Sequence, residues 1–182
     1  MATRRNFIQH GSVGLASAFF PPLAPSTVDH LDFGGLVVGD EEGEVIQLRG
    51  GTAILRIKIA KTHGAQSMSF LSESFPPGDG IPVHKHLNED ELIFLHKGTG
   101  QFTLGEKQYE ISAGAVALVP KGVWHGLQNT GSENIEMRFG YTPSGFEGFF
   151  REAGTPAGQP YVQKTMEQRN SIRKKWGIIY RD

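Results

Sequence analysis

The sequence predicts an all-β fold, an antiparallel sandwich or barrel, and three observations point there. From about Leu36 to Thr142 the chain consists of short segments in which apolar and polar residues alternate, punctuated by glycine and proline. Glycine (24) and proline (10) are abundant for 182 residues and charged residues make up only 20%, a balance that favours turns over a helical bundle. The alternation is clearest in "TAILRIKIA", where Leu55, Ile57 and Ile59 share one face and Arg56 and Lys58 the other, as in a half-buried strand.

A chain of this length supports one well-buried core and is short for two. Its net charge of -1 offers no basic excess for a phosphate backbone, which argues against a nucleic-acid surface. With no cysteine there is neither a disulfide framework nor a thiolate metal site, so any metal must use nitrogen and oxygen donors.

At the N-terminus, Arg4 and Arg5 precede Phe7 and a weakly apolar stretch, Ile8 to Phe20, too short to span a bilayer. The run Thr3-Arg4-Arg5-Asn6-Phe7-Ile8-Gln9 resembles the twin-arginine export motif, with Gln9 where lysine is usual. Pro21 and Pro22 end any helix, and Ala24-Pro25-Ser26 offers small residues for a signal peptidase, as does Ala16-Ser17-Ala18. We therefore expect a signal peptide over 1–26, a periplasmic or secreted product of a bacterial cell, and no stable membrane span. Because 1–26 holds two arginines and no acid, the remainder carries an excess of acids.

The barrel domain is expected over 27–150. Beyond Thr52 to Ala60, its strands are Ser67 to Phe75, Val83 to His86, Glu91 to His96, Gly100 to Leu104, Gln108 to Ile111, Val116 to Val119, His125 to Asn129 and Ile135 to Tyr141, with a hairpin turn at Gly105-Glu106-Lys107. After Thr142 the composition changes to "PSGFEGFFREAG", which is aromatic and glycine-spaced, and then to a loop, "GTPAGQP". Residues 151–182 are read as a loop and one helix, "TMEQRNSIRKKW", that packs on or caps the barrel through Met166, Ile172 and Trp176, with basic residues in its last turn.

Chemistry concentrates in "GIPVHKHLNEDELIFLHKGTG". His84 and His86 are two apart on a strand, so both rings point to the same side and can converge on one ion. Among the acids that follow, alternation removes Asp90 and leaves Glu89 and Glu91. By the same parity His96 faces outward, and His30 and His63 fall in loops.

The stretch Gly78 to Gly98 reads G-x5-H-x-H-x4-E-x6-G, and "GAVALVPKGVWHGLQN" reads G-x5-P-x-G-x2-H-x3-N. Together they resemble the two signatures of the cupin family over roughly Ser67 to Tyr141, with every position filled: Gly78, His84, His86, Glu91 and Gly98, then Gly114, Pro120, Gly122, His125 and Asn129. The resemblance implies a jelly-roll β-barrel, an antiparallel double sheet. It selects Glu91 over Glu89 and makes His84, His86, Glu91 and His125 the ligands of one divalent transition metal: Fe, Mn, Ni, Co, Cu or Zn. By parity Asn129 shares the face of His125, as a structural residue or a support of the ligands, and Trp124 turns away from the site; the resemblance implies a homodimer through the sheets.

With the "GFEGFF" segment and "SIRKKWGI", the chain looks like the single-domain bacterial cupins grouped with quercetin 2,3-dioxygenase. That likeness implies a dioxygenase acting on a flavonol-like or other phenolic or enolic small molecule, with Glu91 as both ligand and catalytic base. Phe146, Phe149 and Phe150 would cap an aromatic substrate or pack the C-terminal segment on the barrel. Leu127, Ile93, Leu95, Met137 and Phe139 are pocket wall or ordinary core. The alternatives are a non-oxidative cupin enzyme (isomerase, lyase or decarboxylase) and a small-molecule-binding cupin without turnover.

Overall fold

The computed structural model describes residues 35–181; the expected signal segment and His30 lie outside the described residues. Among the described residues twelve strands form two antiparallel sheets, the jelly-roll arrangement. Strands β1 (Glu44–Leu48), β2 (Ala53–Ile59), β3 (Ser69–Phe75), β5 (Asp90–Lys97), β8 (Val116–Val119), β10 (Ile135–Thr142) and the short β11 (Thr155–Pro156) make the larger sheet, in the order β11-β1-β2-β3-β10-β5-β8. Strands β4 (Gly80–His86), β6 (Thr99–Leu104), β7 (Lys107–Ser112), β9 (His125–Asn129) and β12 (Ile178–Tyr180) make the smaller one, in the order β12-β4-β9-β6-β7.

The core lies between the sheets because the inward parity of nearly every strand is apolar. Leu55, Ile57, Leu71, Ile93, Leu95, Met137 and Phe139 from the larger sheet face Phe102 and Leu127 from the smaller one, all buried. At about 25 cal/mol per Å² of apolar surface this burial is the main term holding the sheets together. The outward parity of β5 and β8 is also apolar, and Leu92, Phe94, Val116 and Leu118 are exposed there.

The face assignment in β2 holds to Lys58 and fails at Ile59. The register with β3 slips between Ile57 and Ile59, so Ile59 falls opposite the outward-facing Phe70 and is only half-buried. Lys58 is 5% exposed, and its ammonium donates to the carbonyls of Gly39, Asp40 and Glu42 at 2.7, 2.6 and 3.2 Å. A strand-period argument cannot see a bulge, which is why Ile59 was expected inside; Lys58 keeps the face of Arg56 and is buried there by the Gly39 to Glu42 segment.

Two short helices follow the barrel where one was expected. α1 (Glu147–Ala153) is formed by the glycine-spaced aromatic segment itself. Its Glu147 is buried and accepts from the backbone N–H groups of Lys61 (2.6 Å) and Gly145 (2.8 Å), which pins the helix to the barrel. α2 (Met166–Trp176) starts on a reciprocal cap, with Thr165 Oγ1 accepting from Gln168 N–H and Gln168 Oε1 accepting from Thr165 N–H, and ends at left-handed Gly177. Ile172 and Trp176 pack against the core as expected, whereas Met166, in the first turn, is 60% exposed.

The chain then returns as β12, which pairs with β4 so that Ile178 lies opposite His86 and Tyr180 opposite His84. β1, β11 and β12 were not foreseen; β11 and β12, of two and three residues, are too short to show periodicity. No described helix is long and apolar enough to cross a membrane.

Candidate metal centre and cavity

β4 delivers His84 and His86 to the barrel interior, as alternation requires, and β9 delivers His125 directly opposite His84. The pairing of β4 and β9 is irregular between Ile81 and His84, and the strands approach closely there. A Cβ on Gly126 would stand 2.9 Å from Ile81 O and 3.1 Å from Val83 N, so only glycine fits beside the bulge that aims the His84 ring. Glu91 comes from β5 in the other sheet. The four side chains are buried and bridge the two layers of the fold.

Their donor atoms all lie within 4.8 Å of one another. His125 Nε2 is 2.8 Å from Glu91 Oε2, His86 Nε2 is 3.4 Å from the same oxygen, and His84 Nε2 is 3.1 Å from His86 Nε2. Donors bound at ~2.1 Å to a single ion are separated by roughly 3 to 4 Å, so the spacing fits a metal. Tautomers fit as well. His84 Nδ1–H donates to Pro82 O at 2.8 Å and His125 Nδ1–H to Val123 O at 3.1 Å; a carbonyl can only accept, so each Nε2 is turned inward for ligation. His86 Nδ1 is buried without a partner, leaving its ring no stronger claim than the centre itself.

The electrostatics are those of a ligand set. Burial and the neighbouring His125 and His86 push His84 down to about 3, which keeps the ring neutral. Burial would raise the Glu91 carboxyl, but the hydrogen bonds and charges of His125 and His86 outweigh it and hold the group below the usual carboxylate range. A buried His-His-Glu-His group of this kind could hold a metal.

Above this floor opens a cavity of about 420 Å³, inside the range of ~300–1,000 Å³ typical of small-molecule sites. Its wall is largely aromatic: Phe102, Phe139, Tyr141, Phe146, Phe149 and Phe150. The Phe146 ring stands edge-on to His86, with 4.4 Å between centroids, and Tyr141 lies 5.1 Å from the same imidazole. Burial, with the charges of Glu91 and Glu73, raises the Tyr141 phenol well above its ordinary value, so it stays protonated.

The structure separates the candidates by position. Glu89 precedes β5, is half-buried and lies outside the four-residue group. Asp90 accepts from Lys121 N–H at 2.8 Å on the outside, and His96 is exposed. Asn129 is buried but serves the turn that follows it: its amide donates to Phe75 O and Glu133 O and accepts from Gly131 N–H. Trp124 is half-exposed under Lys85 and Arg181. Leu127, Ile93, Met137 and Phe139 line the cavity, whereas Leu95 is core only.

Other lining residues had no sequence signal. Glu73, on the inward parity of β3, is a second buried carboxyl in the cavity, with Arg49 Nη2 2.6 Å from its Oε1; burial pushes this group up in spite of the arginine. Arg49 also donates from Nε to Asp79 at 3.1 Å. Tyr161, Lys164, Arg169 and Arg173 close the mouth from the C-terminal segment. Only an inward turn in an otherwise apolar strand pattern could have flagged Glu73, and nothing local could have flagged the others.

Residues 71–140 match the model of the cupin domain. An oxalate-binding protein of Thermotoga maritima is 29% identical over 111 residues, which cover 57% of this chain and 90% of that protein. The crystal structure of a predicted oxalate decarboxylase from Thermotoga maritima is similar at a TM-score of 0.52 and 29% identity, covering 59% of this chain and 99% of the other. KdgF from a Halomonas species has a TM-score of 0.54 at 14% identity over 62% of this chain and 96% of its own, a likeness of fold alone. A jelly roll with four converging ligand-type side chains, a matched domain over 71–140 and neighbours of the same fold together support the cupin superfamily as the place of this barrel.

Proposed function

We propose that this protein is a metal-dependent cupin enzyme, a dioxygenase acting on a phenolic or enolic small molecule of flavonol-like type. The observation that carries this reading is the position of His84, His86, Glu91 and His125 at the floor of an aromatic-walled cavity. A divalent transition metal held there would supply a Lewis acid with coordination positions left for substrate or dioxygen. The three imidazoles would hold the ion, with the tautomers of His84 and His125 set by the carbonyls of Pro82 and Val123. Glu91 takes the proton of the substrate hydroxyl, being a carboxylate that belongs to the ligand-type group and also lines the cavity. Phe146, Phe149 and Phe150 stack on an aromatic substrate and exclude water from the reacting end.

The test combines elemental analysis of the purified protein with an oxygen electrode and a panel of phenolic and enolic compounds. A stoichiometric transition metal and oxygen uptake, both lost in His84→Ala, are expected. Absence of stoichiometric metal, with His84→Ala changing neither metal content nor activity, sinks the reading.

A second reading, a non-oxidative enzyme acting on a carboxylate, is favoured by the similarity to the two Thermotoga proteins. A dicarboxylate as small as oxalate would leave most of the about 420 Å³ unfilled, so the first reading stands ahead. Product formation without oxygen uptake would reverse that order. The reading also includes export. Replacing Arg4 and Arg5 by lysine should trap the precursor inside the cell, and unchanged secretion would remove the twin-arginine assignment.

A further inference from the structure

The inward face of α2 is half apolar and half cationic. Its residues spaced i, i+3, i+4 and i+7, namely Arg169, Ile172, Arg173 and Trp176, are the half-buried ones, while Met166, Glu167, Gln168, Asn170, Ser171, Lys174 and Lys175 are exposed. Ile172 and Trp176 pack on the core, and Arg169, Ile172 and Arg173 line the cavity. Two arginines thus occupy a stripe that an ordinary covering helix fills with leucine or alanine.

Neither arginine is neutralised. Among the described residues no carboxylate oxygen comes within 4.0 Å of Arg169, Arg173 or Lys164, which lines the same mouth. Arg169 Nε is buried with no hydrogen-bond partner, which leaves a charged donor without an acceptor. The contrast with Arg49 is direct. That guanidinium also lines the cavity, but Glu73 and Asp79 hold it, so it has no free charge to offer. The lining carries Arg49, Lys164, Arg169 and Arg173 against Glu73 and Glu91, a net positive cavity before any metal is counted. In a low-dielectric cleft such an excess draws an anion.

The geometry also fixes where the anion would sit. The Arg173 guanidinium stacks at 4.2 Å on the ring of Tyr180, which in turn stacks on His84 at 5.5 Å between centroids and 28° between planes. A single aromatic ring therefore separates the cationic rim from the metal floor. A ligand that reaches both has its hydroxylated end at His84, His86, Glu91 and His125, an aromatic body against the phenylalanines, and an anionic group at the rim.

We propose that Arg169 and Arg173 form a carboxylate-binding subsite, and that the substrate class of this cavity is a hydroxylated aromatic carboxylate held between the metal centre and the inward face of α2. Guanidinium groups suit this role because each presents paired donors that match a planar carboxylate, and Arg169 already holds a buried donor free for it. The inference rests on the proposed function in taking this cavity as the substrate site, but not on dioxygen chemistry.

Titration calorimetry of the full chain with benzoate, protocatechuate and p-coumarate, each against its methyl ester, tests it. The acids should bind roughly tenfold or more tightly than their esters, the effect of a charge-assisted pair, and lose that advantage in strong salt. In the double variant Arg169→Met/Arg173→Met the preference should vanish while the esters bind as before and the metal content is unchanged. Arg169→Lys/Arg173→Lys should keep part of it, and this pair carries the test if the methionine variant does not fold.

No acid outbinding its ester in the native protein would overturn the proposal. So would a preference undiminished in the methionine variant or, if that variant does not fold, undiminished in the lysine variant, since the metal and not the arginines would then be taking the carboxylate. The failure of the functional reading looks different: acid preference with no oxygen uptake leaves the subsite intact and sinks the dioxygenase, and oxygen uptake without acid preference does the reverse.

Discussion

The floor and the cap of the cavity are built on different principles. The floor is made by strand parity: His84, His86, His125 and Glu91 reach one point because their strands belong to two facing sheets and each residue falls on the inward phase. The cap is made by one face of a helix, α2, laid over the mouth by a chain that has already left the barrel. A sheet holds its side chains to a fixed lattice of hydrogen bonds, whereas α2 is seated by a few contacts. The lesson is that a rigid floor suits metal and chemistry, and a cap that tolerates change suits the choice of substrate.

Removing a floor residue should have the largest effect. His84→Ala or His125→Ala takes away one of four donors and should lower metal affinity by at least ~100-fold, more than the 10- to 100-fold expected for losing a supporting partner. The ion would tie β4 and β9 to β5, so its binding free energy stabilises the fold. A chelator should therefore lower the melting temperature of the native protein and leave that of His84→Ala unchanged. Equal chelator sensitivity in the two proteins would place the metal elsewhere.

Much of the floor was legible in sequence and little of the cap. The x in H-x-H fixes one shared face on any strand, so His84 and His86 follow from spacing alone. Glu91 followed only from the family pattern, because parity could not separate it from Glu89; in the structure β5 begins at Asp90, so Glu89 never enters the strand. Ile59 was misplaced because a bulge costs one residue of register and leaves no mark in composition. The cap escaped for a different reason. Helical periodicity was read from the apolar Ile172 and Trp176, and arginines at the intervening positions look like solvent-facing residues unless the helix is known to cover a cavity. Glu147 escaped likewise, as an acid at a helix start whose burial comes entirely from tertiary contacts.

An intermediate effect is expected where the cap is seated. A Cβ on Gly148 in α1 would stand 2.1 Å from Cη2 of Trp176, so the indole rests directly on the backbone of α1. Gly148→Ala would force Trp176, and with it α2, away from the barrel at a cost of about 1 to 3 kcal/mol, as for an overpacked core. Melting should fall by several degrees, roughly 2–4 °C per kcal/mol for a domain of this size. Metal stoichiometry should be that of the native protein, because no floor residue touches Gly148. If Gly148→Ala sheds its metal, floor and cap are not separable and the contrast drawn above fails.

An effect on the metal smaller than that of losing a ligand should come from Tyr180, the residue that belongs to both regions. Its backbone pairs with β4 opposite His84, its ring stacks on His84, and Arg173 lies over it. Tyr180→Ala keeps the strand pairing but removes the ring, losing an aromatic contact worth about 0.5–1.5 kcal/mol and a cation–π contact worth about 0.5–2 kcal/mol. Metal affinity should then fall by less than ~tenfold, since the His84 tautomer is fixed by Pro82 O and not by the ring. A double-mutant cycle of Tyr180→Ala with Arg173→Met, read on metal affinity, measures whether the cap speaks to the floor at all. A coupling near zero means the arginine acts on substrate alone. A coupling of about 1 kcal/mol means that the charge over Tyr180 reaches the His84 imidazole, so that filling the anionic subsite would also tune the metal.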